Sequence, residues 1–431
     1  MMESLLIVGS GLAGLSAARA ARKLGLTGPV TVLGQEAHRP YDRPPLSKDY
    51  LAGTTARAEL DLQPVDDDLD VHWVRDPAVR LDLAGRAVTT AGGQTYAADA
   101  VVLATGAVAR RMAELEEGAP DNVLTLRTVE DADRLRATLT PGARVVIVGA
   151  GLIGSEVGST AAALGCRVTV LDREPEPLAR LYGADLAPRL AALADRSGVR
   201  VLTDVTIGSV EVSPGEVGAG EIGAGRLRAL TLADGRRLPV DVLLVSVGAE
   251  PEIGWLADSG LDLDDGVVCD SAGRVSAGGD TVDGVVAVGD CAAWWDHHLR
   301  RNHRAQHWTD ALERPGRAVA ALLGVDPPRR RPYLPYFWSD QHGVQIQMAG
   351  YASLADDVHV ELDDPDSGRL VAVYRRAGEP VAVLAVSSPR EFVRWRKALV
   401  GALGHVLDVT TRPSHLAAPA AGGPAPSAAD W

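Results

Sequence analysis

The sequence predicts an α/β protein, with two Rossmann-like nucleotide-binding domains and a C-terminal α+β domain. Three observations carry that expectation. The dinucleotide fingerprint G-x-G-x-x-G occurs twice, at Gly9-Ser10-Gly11-Leu12-Ala13-Gly14 and at Gly149-Ala150-Gly151-Leu152-Ile153-Gly154. Each copy stands between a short apolar run and an alanine-rich stretch. From about residue 327 onward the pattern changes to period-two alternation, the signature of half-buried strands. In a chain with 46 glycines a lone fingerprint would be weak, so context decides.

The first copy follows the apolar run Leu5 to Val8, opens a helix, and is followed by a second strand, Val30 to Leu33. The second copy repeats this with Val145 to Val148 and Arg167 to Leu171. Both complete a βαβ unit of about thirty residues. The order has a physical reason. Gly9 or Gly149 makes the tight turn, Gly11 or Gly151 lets backbone amides approach a pyrophosphate, and Gly14 or Gly154 lets helix pack on strand, with the helix N-terminus facing the phosphates.

A length of 431 residues suggests about three domains. The first, residues 1–121, runs to the strand Ala100 to Leu103 and the turn Ala104-Thr105-Gly106. The second, residues 122–240, reads as an insertion that ends in a hairpin-like region, within which the glycine-rich Ser213 to Arg226 reads as a surface loop. The first domain is expected to resume over residues 241–326, with strands Val242 to Val247, ended by Gly248, and Val285 to Val288, ended by Gly289-Asp290. Residues 327–411 form the third domain, an antiparallel sheet containing Val344 to Met348 and Val381 to Ala385, with a helix near Phe392 to Leu403. The tail 412–431, rich in Pro, Ala and Gly, is expected to be disordered.

Composition narrows the function. A net charge of −14 argues against a nucleic-acid footprint. No run of eighteen apolar residues predicts a membrane span, and the first strand begins too early to leave room for a secretory signal, so a cytoplasmic protein is expected. Cys166, Cys269 and Cys291 have no metal-binding or C-x-x-C spacing. Basic residues nevertheless cluster at Arg300, Arg301, His303 and Arg304, at Arg329 to Arg331, and at Arg390, Arg394, Arg396 and Lys397. Such clusters are either solvated faces or a landing site for an acidic protein.

Two dinucleotide sites without an acid–base constellation point to electron transfer between a flavin and a nicotinamide. The stretch Thr281 to Asp290 supports the flavin, because a strand ending in Gly-Asp places a carboxylate at the strand's C-terminal edge, within reach of ribityl hydroxyls. In the second unit the strand is followed by Asp172. A carboxylate there accepts hydrogen bonds from a ribose and repels a 2′-phosphate, which favours NADH over NADPH, while the neighbouring Arg173 argues the other way.

The chain resembles the FAD-dependent ferredoxin reductases of bacterial oxygenase systems. The resemblance spans nearly the whole ordered chain and is most specific at Pro40-Tyr41-Asp42-Arg43-Pro44-Pro45-Leu46-Ser47-Lys48 and Pro335-Tyr336-Phe337-Trp338-Ser339-Asp340-Gln341. It implies two glutathione reductase-type nucleotide domains. It also implies that Arg43 to Lys48 cover the flavin, with Lys48 near the isoalloxazine, and that FAD is contacted by Ala13, Val79, Arg127, Asp290 and Trp308, with Trp338 lining the pocket from the third domain. For Arg127 a structural surface arginine is the competing reading. Glu156 matches a glutamate that lies between nicotinamide and flavin and pairs with the lysine; the alternative is a glutamate stabilised by a helix N-terminus. The acid expected to bind the adenosine ribose of FAD falls on Gln35, with Glu36 beside it, and the sequence does not choose between them.

The implied function is an NADH-dependent ferredoxin reductase. Hydride would pass from NADH to FAD, and single electrons to a 2Fe-2S ferredoxin serving a haem monooxygenase or ring-hydroxylating dioxygenase. Rubredoxin and nitrite reductase flavoproteins are rivals that differ in acceptor, and a signalling flavoprotein similar to apoptosis-inducing factor is a rival of another class. A disulfide reductase needs a cysteine pair early in the first domain, and no cysteine precedes Cys166.

Overall fold

The computed structural model describes residues 2–62, 69–112, 120–215, 223–327 and 333–406. The expected tail 412–431 and the cluster at 329–331 lie outside the described residues. Among the described residues no helix is long and apolar enough to cross a membrane.

Three sheets organise the chain. At the centre of the first, five parallel strands lie in the order Asp280–Ala287, Ala100–Leu103, Leu5–Val8, Val30–Gly34 and Val71–Arg75. Every residue of Leu5–Val8 and Ala100–Leu103 is buried. That is why these strands read as unbroken apolar runs rather than as alternating ones. Ala100–Leu103 and Asp280–Ala287 are neighbours in the sheet, so the chain leaves this sheet after Leu103 and returns to it only once the second nucleotide unit has been built in between.

The second sheet is also parallel, in the order Arg200–Leu202, Arg167–Leu171, Arg144–Val148, Val242–Val245 and Val123–Leu124. One expectation is corrected here. Val242–Val245 does not rejoin the first sheet; it pairs with Val145 to Val148. A four-residue apolar strand buried on both faces fits either parallel sheet by composition, and only the register decides. A second correction concerns Ser213 to Arg226. Its ends are strands, Ile207–Gly215 and Gly223–Leu232, with Ser213 opposite Arg226 and register shifts along the ladder. The backbone supplies a ladder's hydrogen bonds, so glycines weaken pairing and introduce bulges without preventing it. The expected hairpin-like region is a three-stranded antiparallel sheet completed by Arg237–Pro239.

The third sheet is antiparallel, ordered Tyr336–Gln341, Val344–Gly350, Glu379–Val386, Arg369–Arg376 and Asp357–Asp364. Its alternation separates two cores. Ala382, Leu384 and Val386 pack with Tyr182, Leu186, Leu190 and Leu193 of the second unit. Val383 and Ala385 pack with Phe392 and Leu399 of the closing helix, Pro389–Val406. Both faces are thus covered, one by another part of the chain and one by the sheet's own helix.

The fingerprint glycines are required for packing. A Cβ at Gly14 would collide with the Gly9 carbonyl oxygen, and one at Gly154 with the Gly149 carbonyl oxygen. We predict that Gly14→Ala, which must push the helix Leu12–Lys23 away from the strand Leu5–Val8, lowers stability by about 3 kcal/mol; an unchanged thermal unfolding midpoint would contradict this packing.

Candidate functional site

A cavity of about 370 Å³ opens at the C-terminal ends of the first sheet's strands. Of the residues named from the sequence, Gly9, Gly11, Ala13, Gln35, Glu36, Arg43, Lys48, Ala104, Thr105, Gly106, Arg127, Gly289, Asp290, Trp308 and Trp338 line it. The local backbone explains why it is open. Gly9 (φ +119°) lies so close to the Ala104 carbonyl that no side chain fits, whereas a Cβ on Gly11 would meet nothing within 4 Å. The second unit repeats this. A Cβ on Gly149 would strike the Ser246 carbonyl oxygen, and Gly151 faces open space. In both units a cradle able to admit a pyrophosphate lies before the helix N-terminus.

The two units differ at the end of the following strand. Gly9 N–H donates to the Leu33 carbonyl and Gly149 N–H to the Leu171 carbonyl, each at 2.8 Å, so Gly34 and Asp172 occupy equivalent positions. At Gly34 the volume of a side chain is taken by Ser10 Oγ. Asp172 instead accepts from Ala150 N–H at 2.7 Å and Glu174 N–H at 2.9 Å, and so braces the fingerprint loop. Arg173 pairs with Glu174 at 3.5 Å, both side chains about half exposed.

Glu36 and Gln35 also separate. The Glu36 carboxylate accepts from Tyr41 Oη at 2.6 Å and from Arg43 Nη2 at 2.5 Å. Arg43 Nη1 in turn donates to the Arg127 carbonyl at 2.6 Å. Glu36 therefore fixes the loop that covers the cavity, while the Gln35 amide has no hydrogen-bond partner among the described residues and faces the cavity. Arg127 is tied inward, with Nη2 donating to Asp290 at 2.6 Å and Nε to the Ala107 carbonyl at 2.9 Å.

At the far end lies the densest group of charges. Lys48 Nζ and Ser47 Oγ donate to Glu156 Oε2 at 2.6 and 2.5 Å, and Ser339 Oγ donates to Oε1 at 2.6 Å. Glu156 is 2% exposed and borders the cavity together with Leu152 and Ile153, so the second unit's fingerprint helix forms part of the first unit's wall. Burial pushes the Asp42 carboxyl above its ordinary value, opposed by the hydrogen bond from Trp308 and by the charge of Lys48. That bond, Trp308 Nε1 to Asp42 Oδ1, is 2.6 Å long. Trp308 meets Trp338 edge-on at 5.8 Å, and Trp338 stacks on Tyr336 at 5.9 Å.

Some expected residues lie elsewhere. Val79 does not line the cavity: its neighbours Pro77 and Ala78 do, and Val79 is 48% exposed, because it is the extra residue of a bulge between Ala78 and Arg80, where the ladder shifts register. Gly14 lies behind the cavity as a packing contact, and Gly149, Gly151, Gly154, Asp172 and Gly248 belong to the second cradle's side of the molecule rather than to this wall. In the basic cluster Arg304 is buried at 8% exposure, with Nε and Nη2 donating to Asp265 at 3.0 and 2.8 Å. It holds the fold and is not a docking residue. Ser47, Ser339 and Gln341 were not singled out, although they lie within the two most distinctive stretches of the sequence. None of the three cysteines lines the cavity.

The fold and the site thus define an oxidoreductase built to bring two dinucleotides together. Residues 3–314 match the pyridine nucleotide-disulphide oxidoreductase model and residues 336–406 the reductase C-terminal model; the chain belongs to this family. It is 34% identical over 403 residues to a probable ferredoxin reductase of Castellaniella defragrans, covering 92% of this chain and 94% of the relative. It is 36% identical over 396 residues to the ferredoxin–NAD(+) reductase component of the biphenyl dioxygenase system of Paraburkholderia xenovorans, covering 91% and 92%. In structure it is similar to putidaredoxin reductase in its covalent complex with putidaredoxin, with a TM-score of 0.85, 28% identity and 93% of each chain covered. As a member of this family it is a flavoprotein oxidoreductase that works with FAD and NAD(H).

The placement of Arg304 yields a test. Arg304→Glu sets a carboxylate against Asp265 in a buried position and is expected to cost about 3 kcal/mol or more. Arg301→Glu, at an exposed position, should leave the unfolding midpoint within error. Equal thermal stability of the two variants would contradict the buried role of Arg304.

Proposed function

We propose that the chain is an NADH-dependent ferredoxin reductase, with FAD in the first cradle and NADH in the second, feeding a 2Fe-2S ferredoxin that serves an oxygenase. The observation that carries this is the shared wall: Leu152, Ile153 and Glu156, just after the second fingerprint's central glycine, border the cavity of the first. A nicotinamide delivered by the second cradle would meet the ring held in the first. Once bound, FAD supplies the chemistry that links a two-electron hydride donor to one-electron acceptors.

The chain's own residues bind and orient. Gly11 and Ala13 leave room for the pyrophosphate, and Gln35, whose amide faces the cavity, is the residue we assign to the adenosine ribose, with Glu36 supporting Arg43. Lys48 sets a fixed cation beside the cavity, where it favours negative charge developing on the ring during reduction. Trp308 and Trp338 shield the ring from water. In the second cradle Asp172 braces the loop, and Glu174 offsets Arg173. Two carboxylates beside one paired arginine disfavour a 2′-phosphate, which supports NADH over NADPH.

The acceptor reading rests on charge. Arg300 and Arg301 are exposed, and Leu299 beside them packs against the core that includes Phe392 and Leu399 of the closing helix. That helix exposes Arg390, Arg394 and Lys397, positions that share one helical face, with Val393 among them 64% exposed. Both clusters are exposed and basic, and the one on the helix surrounds an apolar residue, a surface suited to an acidic partner. Arg396 lies 4.6 Å over the Tyr336 ring, which stacks on Trp338, so aromatic rings connect this face with the cavity.

Two measurements test the reading. In anaerobic stopped-flow, NADH should bleach the flavin band rapidly and NADPH roughly tenfold more slowly or worse, a ratio that about 1.4 kcal/mol of discrimination produces; a chain without flavin, or a flavin that neither nucleotide reduces, would overturn it. Combined reversal of Arg301, Arg390 and Arg394 to Glu should raise the KM for a 2Fe-2S ferredoxin at low salt while leaving reduction by NADH unchanged. An unaltered KM would remove this face as the docking site.

A further inference from the structure

Resting on that reading, we infer that Ser339 is a positioning residue of the redox centre: it holds the Glu156 carboxylate in place, and so sets how much of the charge of Lys48 remains available to the flavin. Glu156 is a buried carboxylate with few donors. Glu156 Oε2 is shared by Lys48 Nζ at 2.6 Å and Ser47 Oγ at 2.5 Å, and Oε1 receives Ser339 Oγ at 2.6 Å. Among the described residues no other hydrogen-bond donor reaches Oε1. Ser339 is completely buried, and its hydroxyl accepts from Gln341 Nε2 at 3.1 Å. Ser339 and Gln341 are two residues apart on the strand Tyr336–Gln341 and therefore share a face. Having accepted the Gln341 amide, the serine hydroxyl is left to donate its proton to Glu156. The amide thus fixes the direction of the hydrogen bond.

The consequence is electrostatic. A buried carboxylate distributes its charge over whatever donors it has. Two hydroxyl donors take part of it, so Lys48 is not consumed by the pair. Without the Ser339 hydroxyl, Oε1 lies in a buried place with no partner, and the carboxylate leans harder on Lys48. Lys48 also faces Asp42, so its charge is already divided between two carboxylates. A stronger claim by Glu156 leaves less for negative charge on the reduced ring.

The test is the midpoint potential of the bound flavin, measured in the intact holoprotein by equilibrium with a reference dye, for Ser339→Ala, Ser339→Thr, Glu156→Gln and the double variant Ser339→Ala/Glu156→Gln. We expect Ser339→Ala to move the potential in the negative direction and to slow reduction by NADH about tenfold, the worth of one hydrogen bond to a charged group. Ser339→Thr, which keeps the hydroxyl, should restore both. In the Glu156→Gln background the serine deletion should produce no further shift, because the charge it acts upon is gone. The inference is overturned if Ser339→Ala leaves the potential unchanged, or shifts it equally in both backgrounds. Should Ser339→Ala fail to retain flavin, Gln341→Leu, which keeps the serine but removes its orienting donor, carries the same test, with a smaller negative shift expected and no shift overturning it. An unmodified chain that binds no flavin would instead defeat the functional reading beneath.

Discussion

The carboxylate of Glu156 is the constraint on which the arrangement of the whole molecule turns. It is supplied by the second unit, and its partners come from the first unit, Lys48 and Ser47, and from the third, Ser339. Burying a carboxylate costs several kcal/mol, and only complete pairing makes it tolerable. Satisfying this one side chain therefore requires three separately built sheets to meet at one point. Thr160 reinforces the junction from the same helix as Glu156, donating to the Ser47 carbonyl at 2.9 Å. The helix Leu152–Ala163 is thereby pinned to the turn that carries Lys48, and the wall shared by the two nucleotide sites follows from that pinning.

The two fingerprints show how one backbone solution can be given two electrostatic characters. Both place a glycine against a carbonyl oxygen of the neighbouring strand connection and leave the next glycine facing open space. They diverge at the equivalent positions Gly34 and Asp172. At Gly34 the absent side chain leaves room for Ser10, and the next residue, Gln35, lines the cavity. At Asp172 the carboxylate holds the loop by its amides and keeps negative charge near the cradle. A chain that binds two different dinucleotides needs this kind of divergence, since the glycines themselves read only the pyrophosphate that both ligands share.

What was legible in the sequence divides along physical lines. The strands Leu5–Val8 and Ala100–Leu103 are legible to the residue, because fully buried parallel strands are bounded by sharp changes in composition. A little under half of the residues lining the first cavity are among those named from the fingerprints and the resemblance. Sheet membership was not legible: Val242–Val245 is as apolar as any strand of either sheet, and which neighbour it pairs with is a matter of long-range register. Nor could charge clusters be sorted into surface and interior. Arg304 is buried where Arg301 is exposed, its guanidinium held by partners distant in sequence, Asp265 and the Ala249 and Asp290 carbonyls. Val79 lies outside the cavity for a subtler reason, since regular alternation would put it on the face of buried Leu81 and only a bulge, which no local pattern announces, turns it outward. Ser47, Ser339 and Gln341 lay in conspicuous motifs, but the carboxylate they serve is more than a hundred residues from each of them in sequence.

The strand Tyr336–Gln341 explains why the third unit belongs to the redox centre rather than merely standing beside it. Its alternation assigns Tyr336 to the core beneath the closing helix and Phe337 to the core shared with the second unit. Ser339 and Gln341 continue the face of Phe337, Ser339 reaching Glu156 and Gln341 donating to Ser339, while Trp338 continues the face of Tyr336 and closes on Trp308 at the cavity. Period-two geometry thus sends one face of a single strand to the carboxylate beside Lys48 and the other to the aromatic path leading to the basic surface. A shift of this strand by one residue would lose both at once, and its register is held on one side by pairing with Val344–Gly350 and beyond its end by Ser159 of the second unit, whose hydroxyl accepts from His342 N–H at 2.7 Å. The second unit therefore fixes the strand that in turn holds its own Glu156, a closed mechanical loop in which neither part can move without the other.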